Sequence, residues 1–171
     1  MNRRTFIFSS VAVVGLSAVL VHNKAGAYQA NLTQLMQRLE AFKGQSLRSD
    51  TPWTASQVFQ HLAQSVEGSL HGFAQLKPAW FRASIGPMAL AVFQARGKMS
   101  HPLDEPIPGA ASLDPTVAAD AALDRLLASL TALQQASITH PHFAYGDLTV
   151  AQAMAAHQLH IEQHLTALRL A

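Results

Sequence analysis

The chain has 171 residues, 49% hydrophobic and 13% charged, with a formal net charge of +2, which is the size and composition of one ordinary globular domain. It has no cysteine, so disulfides, thiolate metal sites and a cysteine nucleophile are excluded. Arg3, Arg4 and Lys24 account for the positive balance; beyond residue 27 the chain carries nine basic against ten acidic side chains, and no basic stripe points to a nucleic-acid partner.

The opening stretch, MNRRTFIFSSVAVVGLSAVLVHNKAGA, has the three parts of a signal peptide. Arg3 and Arg4 form a charged start, Phe6 to Val21 an apolar stretch, and Ala25-Gly26-Ala27 a small-residue cleavage signal. The apolar stretch falls short of the roughly 20 residues that a spanning helix needs. Arg3-Arg4-Thr5-Phe6-Ile7 resembles the R-R-x-F-hydrophobic core of a twin-arginine signal, with Phe8 where a lysine is common. These features predict cleavage after Ala27, a domain over 28–171, engagement of the export machinery and a periplasmic or otherwise exported product. An uncleaved N-terminal membrane anchor is the alternative.

Leu32, Leu35, Met36, Leu39 and Phe42 repeat with the spacing of a helix that buries one face, predicting a helix over 31–42 closed by Gly44. Thr54 and Gln57 form a capping-box signature ahead of Val58, Phe59, Leu62, Val66, Leu70 and Phe73, which predicts a second helix. Trp53, just before the cap, is placed to form a hydrophobic staple with Val58. Residues 76–114 hold five of the eight prolines and read as a long crossover or lid, with a short helix over 88–95. Asp114-Pro115 reads as the cap and first position of a third helix carrying Val117, Leu123, Leu126, Leu127, Leu130 and Leu133. After the turn THPHFAYGD, Thr149 and Gln152 open a fourth helix that runs nearly to the C-terminus. No stretch alternates as a strand does. The prediction is an all-α four-helix bundle with a long crossover between helices two and three.

Three of the nine histidines fall in HQLHIEQHL, residues 157–165. With His157 at zero on a helical wheel, His160 lies near −60° and His164 near −20°, at about 100° per residue. Met154, Ile161, Leu165 and Leu168 occupy about +20° to +80°, so the histidines form a stripe bordering the buried face. His157 and His164 are about 10 Å apart along the axis, too far to share an ion whose bonds are about 2 Å long. His160 and His164 have the i, i+4 spacing of helical metal sites. His61, beside Leu62 in the second helix, is the best third ligand. It lies about 10 Å inside the start of its helix, level with the His160/His164 midpoint if helices two and four are antiparallel. His157 is then a neighbour of the site and not a ligand. His71 lies near a helix end; His101, His140 and His142 lie in loops, where solvated or turn-capping roles are expected. Imidazole ligands suit zinc or nickel. Glu162, about 200° from His160, is directed at solvent.

WTASQVFQHL, with LTVAQAMAAHQLHIEQHL near the C-terminus, resembles the DinB/YfiT-like superfamily, in its branch of uncharacterised bacterial proteins. The likeness extends over most of residues 31–168. It implies an up-down-down-up four-helix bundle and a metal site made by one histidine of helix two and an H-x-x-x-H pair of helix four, here His61, His160 and His164. Branch members often have adjacent histidines at the end of this run, where this chain has Gln163-His164, and the HPHFAYGD turn has extra residues between Phe143 and Gly146. Some superfamily members are metal-dependent thiol transferases or hydrolases. Fold likeness does not carry chemistry across. The expectations therefore comprise a metal-dependent hydrolase or transferase acting on an unknown small molecule, a non-catalytic metal-binding module, and a metal-free structural bundle. A homodimer is left open.

Overall fold

The computed structural model describes residues 28–171; the expected signal peptide and its cleavage site lie outside the described residues. In chain order the elements are α1 (Leu32–Glu40), β1 (Leu47–Ser49), α2 (Ala55–His71), α3 (Ala79–Ala83), α4 (Ile85–Arg96), α5 (Ala119–Gln135), α6 (Val150–Leu165) and β2 (Leu168–Leu170). The described chain is mostly helical, with one small two-stranded sheet.

Local chemistry sets the helix starts. The Asn31 side chain accepts from the Gln34 N–H at 3.0 Å and caps α1. Both α2 and α6 carry complete capping boxes. Thr54 Oγ1 accepts from the Gln57 N–H at 3.2 Å while Gln57 Oε1 accepts from the Thr54 N–H at 3.0 Å. Thr149 and Gln152 repeat the arrangement. These reciprocal bonds satisfy donors that a helix start otherwise leaves orphaned.

Side-chain pairs give the helix directions. Gln60 Nε2 donates to the Asp114 carbonyl ahead of α5, and Glu67 pairs with Arg125 within it, so α2 and α5 run the same way. His61 meets His160, and eight residues later Ser69 meets His157, so α6 runs against α2. Asn31 and Arg38 contact Gln158 and Glu162 in turn, so α1 follows α6. Thr33 meets Gln134 while Lys43 meets Asp124, so α1 opposes α5. Leu35, Leu39, Phe59, Leu62, Leu126, Leu130 and Leu133 fill the core between these helices.

Several sequence expectations are corrected. The third long helix opens at Ala119 and not at Asp114-Pro115. Asp114 Oδ1 instead accepts from the Thr116 N–H and hydroxyl, making a local turn. Its backbone N–H and carbonyl are both engaged by the Gln60 amide, which holds the segment off the helix path. The short helix expected over 88–95 is longer and preceded by another: α3 and α4 meet at Ser84. Pro87 sits in the first turn of α4, where its missing N–H breaks no helical bond. The last helix stops at Leu165, and Leu168–Leu170 pairs antiparallel with Leu47–Ser49, in the register Leu47 to Leu170. Three-residue strands are too short to display alternation, and their partners are distant in sequence.

Helix α6 departs from its amphipathic reading. His157, His160 and His164 are buried outright, not at the margin of a buried face, and so is Leu159 on another side. The crossover is the reason: α4 packs on α6, and the loop after α4 buries Met99 and Ile107.

Candidate metal centre

The three histidines singled out from sequence come together. His61 from α2 and His160 and His164 from α6 each offer a ring nitrogen within 4.8 Å of the others, and all three are buried. Ring centroids are 5.1 Å apart for His61 and His160, and 4.8 Å for each of the other two pairs. His61 Nε2 and His160 Nε2 approach to 3.2 Å. Nitrogens sharing a zinc ion are about 3.4 Å apart, given bonds of about 2.1 Å and tetrahedral angles.

Hydrogen bonding sharpens the case. Among the described residues, His61 Nδ1 and His164 Nε2 have no hydrogen-bond partner. A neutral imidazole has one donor and one acceptor, and leaving a buried one unpaired costs about 1–3 kcal/mol. A structural core histidine is ordinarily satisfied by neighbours, so the unpaired His164 Nε2, beside the facing His61 and His160 Nε2 atoms, fits a cation held among the three rings. Burial pushes His61 down to about 4 and His164 down to about 3, with the neighbouring histidines adding to the effect. Burial likewise holds His160 well below the ordinary histidine range. The rings are neutral at pH 7, the form in which imidazole binds metals.

His157 stands outside the trio. Its Nε2 lies 2.8 Å from Ser69 Oγ and its Nδ1 3.5 Å from Ser65 Oγ, so both nitrogens have protein partners. Burial depresses it to about 4. Glu162 is also outside: it pairs with Arg38 and accepts from Gln158. His71 and His140 are exposed.

Three neighbours of the site escaped sequence reading. Trp53, expected only as a staple, has its ring centroid 5.0 Å from that of His61. His101, expected as a solvated or turn-capping loop residue, is half-buried, with its ring 5.0 Å from His160 and 5.5 Å from His164. His142, expected as a solvated or turn-capping residue, does cap its turn, but it is buried and stacked on Tyr145 at 4.4 Å and 15°. His142 Nδ1 accepts from the Ala144 and Tyr145 N–H groups, which leaves the proton of the neutral ring on Nε2. The one sequence signal for this turn was Gly146, whose φ of 76° lets it close the bridge to His142.

A cavity of about 160 Å³ adjoins the trio, lined among others by His61, His101, His142, Tyr145, His157 and His160. It brings apolar walls and a few polar groups against the histidines, the makeup of a small-molecule pocket.

No curated protein and no solved structure matches the chain. A family model described as a protein of unknown function, DUF1569, matches residues 24–170. With the match running over the whole described fold and both helices of the histidine cluster, the chain belongs to the DUF1569 family.

Proposed function

We propose that this chain is an exported metalloprotein of DinB-like, up-down-down-up four-helix architecture, in which His61, His160 and His164 hold one divalent transition metal. The pairwise helix directions support the architecture: α1 and α6 run one way, α2 and α5 the other. The observation that carries the metal reading is the convergence of three buried imidazoles, two of which, His61 and His164, have a nitrogen unpaired among the described residues. Zinc and nickel both suit an all-imidazole set.

The adjoining cavity favours an enzyme, a metal-dependent hydrolase or transferase of a small molecule. A divalent metal supplies Lewis acidity at such a site. The chain's own residues do the rest. His61, His160 and His164 bring three neutral donors without a carboxylate, so the positive charge of the ion is not offset locally. His142 presents an N–H, fixed in tautomer by two backbone donors, for an acceptor in the cavity. His157, held by Ser65 and Ser69, supports the cavity wall next to His160 as an outer neighbour of the metal. The second reading, a non-catalytic metal-binding module, is favoured by the near-complete burial of His61 and His164.

Elemental analysis of untagged protein tests the common part of both readings. About one zinc or nickel per chain is expected. A stoichiometry near zero, unrestored by added zinc or nickel, overturns it.

A further inference from the structure

We propose that His101, carried by the crossover loop, is a fourth ligand of the metal held by His61, His160 and His164, and that a molecule entering the cavity displaces it. The inference rests on the three-histidine reading above.

The position comes first. The His101 ring is 5.0 Å from His160 and 5.5 Å from His164, little more than the 4.8 Å between those two rings themselves. The loop between α4 and α5 therefore brings a fourth imidazole to a cluster otherwise built from two helices.

The tautomer comes second. His101 Nδ1 lies 2.6 Å from the Pro102 carbonyl oxygen. A carbonyl only accepts, so Nδ1 carries the proton, and the neutral ring keeps its lone pair on Nε2. An Nδ1–H donated to a backbone carbonyl is the arrangement that orients metal-binding histidines and leaves Nε2 free to coordinate.

The third observation is an anchor. Gln163 Nε2 donates to the His101 carbonyl oxygen at 2.7 Å. Gln163 immediately precedes His164 on α6, so one residue ties the loop backbone to the helix that supplies two ligands. This gives a role to the Gln163 at which the sequence departs from the adjacent-histidine pattern.

Displaceability follows from the mounting. His61, His160 and His164 are buried on capped helices, whereas His101 is half-buried on a segment without regular structure. His101 also lines the cavity with His61 and His160. Closed four-ligand sites are structural and catalytic ones keep a position open. A loop-borne fourth ligand permits both states in one protein.

The test uses full-length protein loaded with Co²⁺, followed by its visible spectrum and by chelator competition. In the wild type, imidazole at the concentrations that saturate His101→Ala should leave the spectrum unchanged, because the tethered ring outcompetes the free one. His101→Ala should bind Co²⁺ more weakly and with an altered spectrum, and added imidazole should restore that spectrum saturably towards the wild type, which loss of an outer neighbour would not allow. Gln163→Ala, which leaves the ring intact, should weaken Co²⁺ binding in the same direction, and it serves alone if His101→Ala does not fold. Wild-type affinity and spectrum in His101→Ala, or in Gln163→Ala where only that variant folds, overturn the fourth-ligand assignment alone. Failure of the wild type to take up Co²⁺ overturns the three-histidine reading, and this inference with it.

Discussion

His157 and His164 are equally buried, each 1% exposed, yet their nitrogens differ in what they meet. His157 has a serine hydroxyl at each nitrogen, whereas His164 Nε2 has no partner among the described residues. Burial does not separate ligand from neighbour here; satisfaction does. His61→Ala, His160→Ala and His164→Ala should therefore each abolish tight metal binding. His157→Ala should weaken it by no more than about 10- to 100-fold, the range of an outer-sphere change. Competition with a chelator measures this, and loss of metal from His157→Ala with retention in His164→Ala reverses the assignment. The depressed histidines also make the metal-free protein acid-sensitive. The folded His157 titrates near 4, below its unfolded value of about 6.5, so the unfolded chain binds more protons between those values. Stability is then complete above about pH 6.5 and is lost as pH falls towards 4, by about 3 kcal/mol from this residue alone. His142, held lower by burial and by its neighbour His157, adds in the same direction. Urea unfolding in the presence of chelator should show stability falling from about pH 6.5 towards pH 4. A flat profile would contradict the neutral, buried state of these rings.

At the level of elements, the site depends on depth along two helices. The Thr54 and Thr149 capping boxes set where α2 and α6 begin, and therefore where His61 and His160 stand along their axes. The cavity's far wall depends on a different contact. Gly86 of α4 lies against the carbonyl of Ala144, in the turn that carries His142 and Tyr145. A Cβ there would also come within 3.2 Å of Tyr145 Cα, so it meets backbone on both counts and no side chain can swing aside. Gly86→Ala should destabilise the protein by about 1–3 kcal/mol, the usual cost of overpacking, despite the better helix propensity of alanine. A thermal melt checks it, and an unchanged or raised melting temperature would mean that α4 does not press on this turn.

For the whole molecule, no helix of the described residues is long and apolar enough to cross a membrane. The proposed export rests on residues 1–27, which lie outside the described structure. Mass analysis of protein from a native-like host should give a chain starting at Tyr28. Replacement of Arg3 and Arg4 by lysine should block export by the twin-arginine route, which carries folded proteins and so permits metal loading beforehand. Intact Met1 in a soluble cytoplasmic fraction would contradict export, and unaffected export of the double-lysine variant would leave the general secretory route.

The starts of α1, α2 and α6 and the convergence of His61, His160 and His164 were legible in the sequence. Caps and apolar periodicity are local, and two helices matched in depth bring their histidines level. The same locality misled at α5, where Gln60, 54 residues away, captures the backbone of Asp114 and leaves the helix to begin at Ala119. It also hid the small sheet, whose strands draw their hydrogen bonds from opposite ends of the described chain. Tertiary structure alone decided the surroundings of the histidine cluster. His101 reaches it through a bond from Gln163, 62 positions away, and His142 is buried because the crossover folds back over α6. Periodicity records which face of a helix is apolar, but a loop residue has no face until distant contacts fix its backbone. A helix covered by the bundle on one side and by the crossover on another carries no single stripe from which that cover could be read.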